Sequence, residues 1–373
     1  MRHKLNAVSL KESSHITREL RTPLPIDVQE EYENGAYGQY DSKTLFYDIF
    51  LSPNSGCVVA IGPPLLNLKS ELLPLEIKVN NQVITFSIDV NYKKLLVLKA
   101  KLKMPLSTPC KAVLKLNNGD EVDVDLHRPE AVIGDTLVTL QKNNEIRWIK
   151  DWIKYYRSHL GIKNFFIYDN NSENQSELIE ALEGDATIVP WAFPHGVSYY
   201  HSNQFCQIGA LNHFKLKYGE RSIIYNFDID ELLICKNDLI KEQIQKGESL
   251  RFNNYLVPYL PVDKEMYSFS DFIMREKKPK NSAFKYTVHG TDKGLMNVHY
   301  FKKEKNILDK LLLKKKSYGR LVDIEDAYFL HYRGITTNWR THHSDRLKDI
   351  KIDASNLVKD TSIVEVFEQS AEN

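Results

Sequence analysis

Between residues 134 and 227, short apolar runs alternate with segments of helical period, and the links between them are brief. Asp135 to Leu140 reads as an apolar strand. Asn144 to His159 carries Ile146, Ile149, Trp152, Ile153 and Tyr156 at helical spacing. Gly161 suits the position just past the end of such a helix. Asn164 to Tyr168 is a second strand, closed by the polar turn Asp169-Asn170-Asn171-Ser172. Glu173 to Leu182 predicts a helix, Thr187 to Val189 a short strand, Gln204 to Lys217 a helix, and Ser222 to Phe227 a strand. A βαβαβ series of this kind predicts an α/β fold with a doubly wound, Rossmann-like, mostly parallel sheet. Ligands of such sheets bind beyond the carboxyl ends of the strands, where Asp169, Asp228 and Asp230 fall.

The run Tyr225-Asn226-Phe227-Asp228-Ile229-Asp230-Glu231-Leu232-Leu233-Ile234 sets three carboxylates between apolar flanks. A strand here presents Asp228 and Asp230 at its end, on one face, with Ile229 pointing the other way. Carboxylates that close repel unless a cation sits between them. Oxygen ligands of this type suit Mg²⁺ or Mn²⁺ that also holds substrate phosphates. The pattern points to a metal-assisted phosphate-ester or sugar-nucleotide enzyme. The plainer alternative is that Asp228 and Asp230 cap a helix or hold a loop.

Residues 1–40 read as a polar arm. Residues 41–130 read as mostly strands: Val58 to Ile61, Leu75 to Val79, Val83 to Val90, Lys94 to Lys101, Ala112 to Leu116 and Glu121 to Leu126. Asn117-Asn118-Gly119-Asp120 is a hairpin signal, because Asn and Gly tolerate positive φ. A small antiparallel β-sandwich is expected, serving carbohydrate binding or packing and assembly. The catalytic part is expected to span 131–350, followed by a helix and polar tail over 351–373. Lys+Arg 50 against Asp+Glu 49 leaves no global field to recruit nucleic acid. No run is long and apolar enough to span a bilayer, and the first residues lack the apolar core of a secretory signal. Cys57, Cys110, Cys206 and Cys235 match no zinc spacing, so free thiols and a reducing, cytoplasmic compartment are expected.

Leu140 to Glu145, Trp152 to His159, Gly161 with Phe165 to Ser172, Asn226 to Leu233 and the late His331-Tyr332-Arg333 follow in order over roughly residues 134–345. In these stretches the chain resembles a bacterial glycosyltransferase with the nucleotide-sugar-binding type A (GT-A) fold, of the group related to glycosyltransferase families 2 and 92. The resemblance implies sugar transfer from a nucleotide donor, a UDP-sugar first, with Mn²⁺ or Mg²⁺ on the diphosphate. It assigns Asp228 and Asp230 to the cation and diphosphate, with His331 completing the metal shell. It places Lys142, Asn143, Glu145, Asp169 and Asn170 along the nucleoside side. It further implies a glycan or lipid-linked acceptor in bacterial surface polysaccharide synthesis, capsule or lipopolysaccharide, at or near the cytoplasmic face of the membrane.

A general base is needed if configuration inverts. Asp271 is the first candidate, Asp326 and Glu276 compete, and Glu231 can instead orient a neighbouring group. Arg333 and Arg340 are placed for phosphate by proximity to His331. Other readings stay open. Asp169 to Ser172 can be an Asx turn and helix cap, Glu145 a helix-start charge, and His331 a core histidine. His289 and His299 can approach the diphosphate or simply pack. Trp191, Phe193, Tyr199 and Tyr200 can stack on a sugar or fill a core. Lys302, Lys303, Lys305 and Lys314 to Lys316 can meet an anionic membrane or only water, and His342-His343 reads as a solvated pair. A nucleotidyl- or phosphotransferase should show a phosphate cradle, and no Walker motif is present. A noncatalytic carbohydrate-binding protein is the remaining class.

Overall fold

The described residues between 133 and 226 form, in the computed structural model, most of the strands and helices their alternation predicts. The structure describes residues 4–11, 15–20, 40–53, 56–104, 106–196, 204–260, 266–304, 318–335 and 353–369. Two compact units emerge: Met1–Ala131 with Trp191–Glu220, and Val132–Pro190 with Arg221–Asn373.

The second unit is built on one mixed sheet. Its main strands are β1 (Ile133–Gln141), β2 (Asn164–Asp169), β3 (Thr187–Pro190), β4 (Arg221–Asn226), β5 (Glu231–Cys235), β6 (Leu250–Val257), β7 (Lys280–His289) and β8 (Ala327–Tyr332). They lie in the order β3-β2-β1-β4-β7-β6-β8-β5. The first four are parallel, as buried βαβ strands should be. Beyond β4 the sheet turns mixed: β7 runs antiparallel to β4 and β6, β6 is parallel to β8, and β5 is antiparallel to β8. The expectation of a mostly parallel sheet therefore holds for one half only.

Helix α1 (Ile146–Leu160) stops at Gly161, whose φ of 69° is the left-handed geometry that favours glycine. Its buried face carries Trp148, Ile149, Trp152, Ile153, Tyr155, Tyr156 and Leu160. This face also solves a polar problem. Strand β5 ends the sheet order, so one side of its backbone has no strand partner among the described residues. Tyr155 Oη donates to the Leu233 carbonyl at 2.9 Å and Tyr156 Oη to the Glu231 carbonyl at 3.0 Å. Tyr156 Oη also accepts from Leu233 N at 3.1 Å. The aromatic rings fill the core while their polar tips replace the missing strand. Shorter helices α2 (Gln175–Ala181), α3 (Asp238–Gln245) and α4 (Ser362–Gln369) belong to the same unit.

In the first unit, two four-stranded sheets form from hairpins, all antiparallel. One contains Asp48–Leu51, Cys57–Gly62, Ser87–Tyr92 and Leu95–Lys101, and the other Glu76–Val79, Gln82–Thr85, Cys110–Lys115 and Glu121–Leu126. The single strand expected over Val83 to Val90 is thus two, in different sheets, broken at the buried Phe86. Gly119, with φ of 87°, makes the predicted hairpin turn.

The helix Cys206–Lys217, expected inside the doubly wound series, belongs by its contacts to this first unit. Its His213 and Lys217 both bond the buried Asp48. Trp191 is fully buried against Tyr47 and Phe193, with ring centroids 5.0 and 4.9 Å away, so it fills this unit's core. Cys206 and Cys235 are buried free thiols. Among the described residues no helix is long and apolar enough to cross a membrane.

Candidate active site

Strand β4 ends at Asn226, and the next four residues turn back into β5. Phe227 and Ile229 are both buried. Asp228 and Asp230 alternate with these two as expected, but they lie in a tight turn past the strand end and not on the strand itself. Glu231 N donates to the Asp228 carbonyl at 3.1 Å, and Trp152 Nε1 of α1 reaches the same carbonyl at 3.0 Å. Asp228 N in turn donates to Glu231 Oε2 at 2.8 Å. The turn is held by backbone bonds on one side and an indole on the other.

Strand β8 brings the late histidine to this turn. Its residue His331 stands opposite Glu231 in antiparallel register, so their side chains share a face. His331 Nε2 lies 3.2 Å from Asp230 Oδ2, and Tyr332 N donates to the Asp230 carbonyl at 2.8 Å. One ligand atom from each of Asp230, Glu231 and His331 falls within 4.8 Å of the others. Asp228 is not in this set. Its carboxylate accepts at 2.6 Å from Lys285 Nζ of β7, which also lies 3.1 Å from Glu231 Oε2. Of the expected set Asp228, Asp230 and His331, the last two cluster with Glu231, while Asp228 pairs with the buried Lys285.

The electrostatics follow from this packing. Burial pushes Glu231 up to about 7; Lys285 opposes that rise and Asp228 adds to it. Burial works against charge on Lys285, but Asp228 and Glu231 outweigh it and lift the ammonium above its ordinary value. For Asp230 burial favours the neutral acid, yet His331 holds it below the ordinary carboxylate range. His331 is raised, because Asp230 outweighs its own burial. Two hard carboxylates and one imidazole are a donor set that fits Mn²⁺ or Mg²⁺.

A second polar knot lies at the ends of β1 and β2. Asp169 is fully buried. Its Oδ1 accepts from Gln141 Nε2 and from Ser172 Oγ at 2.6 Å, and its Oδ2 from Ser172 N at 3.1 Å and from Gln175 Nε2. Ser172 Oγ accepts from Asn143 N at 2.8 Å, while Asn143 Oδ1 accepts from Glu173 N at 2.8 Å. Asn143 itself adopts φ of 54°. Asp169 thus organises the loops that carry Lys142, Asn143 and Asn170 rather than presenting open oxygens. Asp169→Ala is expected to cost about 3 kcal/mol, since several buried donors lose their acceptor. Thermal unfolding and faster hydrogen exchange at the Asn143 amide would register it.

The remaining candidates scatter. Glu145 is exposed at the start of α1, makes no capping bond and pairs with Arg147 at 2.6 Å. Asp271 closes a capping box, its Oδ2 accepting from Ser268 N at 2.8 Å. Asp326 lies away from this cluster: it precedes Ala327, which pairs with Cys235 at the far end of the β5–β8 ladder. Five strand residues, about 17 Å, separate it from His331. Glu276 pairs with Lys280 at 2.8 Å. His289 is the last residue of β7, four positions past Lys285, and bonds Thr291. Arg333 follows His331, and its buried Nε has no hydrogen-bond partner among the described residues. Tyr199, Tyr200, Lys305, Lys314 to Lys316, Arg340, His342, His343 and most of the N-terminal arm lie outside the described residues.

Sequence reasoning missed Lys285. The signal was present: Lys285 and Thr287 alternate within Phe284 to Val288, and both are fully buried. A lysine on the inward face of an apolar strand demands an acidic partner.

The family model for glycosyltransferase family 92 matches residues 139–367. No curated protein matches the chain. Solved structures give faint likenesses. The type I pullulanase from Bacillus subtilis str. 168 complexed with maltose is 7% identical with TM-score 0.17, covering 21% of this chain and 11% of its own. The type III pullulan hydrolase from Thermococcus kodakarensis is 12% identical with TM-score 0.15, covering 48% and 39%. The chain thus spans well under half of either structure, and these likenesses carry no argument.

Proposed function

The chain belongs to glycosyltransferase family 92, and we propose that it is a divalent-cation-dependent hexosyltransferase. In this reading it takes a UDP-sugar as donor and a glycan or lipid-linked saccharide as acceptor. The second unit is the GT-A catalytic domain, and the β-rich unit before it is an accessory domain. Surface polysaccharide synthesis at the cytoplasmic face of a bacterial membrane is the setting that the sequence resemblance suggests.

One observation carries the chemistry: Asp230, Glu231 and His331 converge at the carboxyl end of a parallel β–α–β core, with ligand atoms within 4.8 Å. These three residues would hold Mn²⁺ or Mg²⁺. When bound, such an ion supplies charge stabilisation to a departing nucleoside diphosphate. The protein's own residues do the rest. Trp152 and the Glu231–Asp228 bond fix the turn. The unpartnered Nε of Arg333, two residues past His331, supports a phosphate contact there. Asp271 is given a capping role, and no proton transfer is assigned to it.

The test is a binding panel of UDP-, GDP-, CMP- and dTDP-sugars with Mn²⁺, with Mg²⁺ and with EDTA. One donor should bind tightly with cation and at least about tenfold more weakly in EDTA. Binding that ignores EDTA for every donor would sink the cation-dependent reading.

A further inference from the structure

Lys285 is fully buried, and its ammonium contacts Asp228 at 2.6 Å and Glu231 at 3.1 Å. Glu231 is therefore shared: one side of the cluster already has a cation of the protein's own, and the other side is the Asp230–Glu231–His331 trio. A divalent ion held by that trio would lie close to a fixed positive charge, in surroundings where water screens poorly. Like charges at such range weaken binding, and the lysine cannot swing into solvent because no part of it reaches the surface.

We propose that Lys285 is a resident counter-cation that holds down the site's affinity for a divalent ion, so that the ion exchanges instead of being permanently retained. The inference rests on the metal reading above. It makes Lys285 a positioning residue: it satisfies Asp228 and Glu231 without an ion, keeping the acidic turn folded between ion-binding events. A plain packing role would give the opposite result on ion binding, since loss of packing loosens a site.

The experiment titrates Mn²⁺ alone into the full-length protein by calorimetry and by paramagnetic resonance. Lys285→Gln and Lys285→Met remove the charge, and Lys285→Arg keeps it. Thermal melts with and without Mn²⁺ run alongside. The neutral variants should bind Mn²⁺ about tenfold tighter or more than the parent, and Mn²⁺ should raise their melting temperature more than it raises the parent's. Lys285→Arg should bind as the parent does. Folded neutral variants with unchanged or weaker Mn²⁺ binding overturn the inference. So do neutral variants that are unfolded and that Mn²⁺ does not restore, because no cation then replaces the lysine. A parent protein that binds no Mn²⁺ overturns the metal reading itself and leaves Lys285 a structural ion-pair partner.

Discussion

Asp230→Asn is expected to lower turnover by about 10²–10³-fold while leaving the protein folded. The two halves of that expectation come from different atoms. Asparagine is nearly isosteric, so the Asp230 carbonyl still accepts from Tyr332 N, and the amide oxygen can still meet His331. Neither Phe227 nor Ile229, the buried anchors of the turn, is touched. What disappears is one negative charge from the trio proposed to hold the cation. Loss of a preorganised electrostatic contact at developing charge costs about 3–4 kcal/mol in other enzymes. Steady-state kinetics at saturating Mn²⁺ would read the loss, and a melting curve would confirm the fold. Asp326→Asn is the control: it sits at the far end of the β5–β8 ladder and should leave turnover within about twofold. Equal turnover in parent and Asp230→Asn would remove Asp230 from the reaction.

Particular residues show how far the sequence carried the fold and the site. Phe165 to Ile167 and Ile223 to Tyr225 could be read as buried strands because a sheet covered on both faces leaves no polar alternation. The face of α1 was legible because its far side stays in water. The helix Cys206–Lys217 was legible as a helix but not as to its partner. Its buried residues run nearly all round, including Asn212, His213 and Lys217, so no apolar stripe points to a neighbour. The acidic turn misled for a related reason. The strand stops at Asn226 and the chain turns through Ile229 and Asp230, so the acidic residues do not sit on a strand end, although burial still alternates from Phe227 to Asp230. Lys285 escaped notice because its partners lie 57 and 54 positions away, a separation only the folded sheet closes.

The largest effect on stability is expected from Asp48→Asn in the first unit, about 3–5 kcal/mol. Asp48 is fully buried, and all its acceptor capacity is engaged. Its Oδ2 faces His213 Nε2 at 2.8 Å and accepts from Lys217 Nζ at 2.7 Å. Its Oδ1 accepts from Asn6 N at 2.8 Å and from its neighbour Ile49 N at 2.9 Å. Asparagine puts an amide N–H where a donor already points, and it leaves Lys217 charged beside Phe50 and Tyr218 with no counter-ion among the described residues. Asp48→Ala should cost at least as much, whereas an exposed change such as Asp238→Asn should cost under about 0.5 kcal/mol. The pH dependence has a definite sign. Burial opposes charge on Asp48, but Lys217 and His213 outweigh it, so its folded pKa lies below the ordinary 3.8. That contribution is complete above the unfolded carboxylate range and is lost as pH falls through the depressed value. Burial likewise opposes charge on Lys217, and Asp48 outweighs it, lifting the folded pKa above 10.5. Its contribution is complete below the unfolded value and is lost as pH rises through the raised one. The parent should therefore keep the pair's full contribution from roughly pH 5 to 9 and lose it on both limbs. Asp48→Asn should be less stable across that plateau and lose less on the acid limb. Denaturant unfolding at a series of pH values measures both features. A variant that matches the parent on the plateau would show that the buried Asp48–Lys217 pair contributes nothing net to this unit's stability.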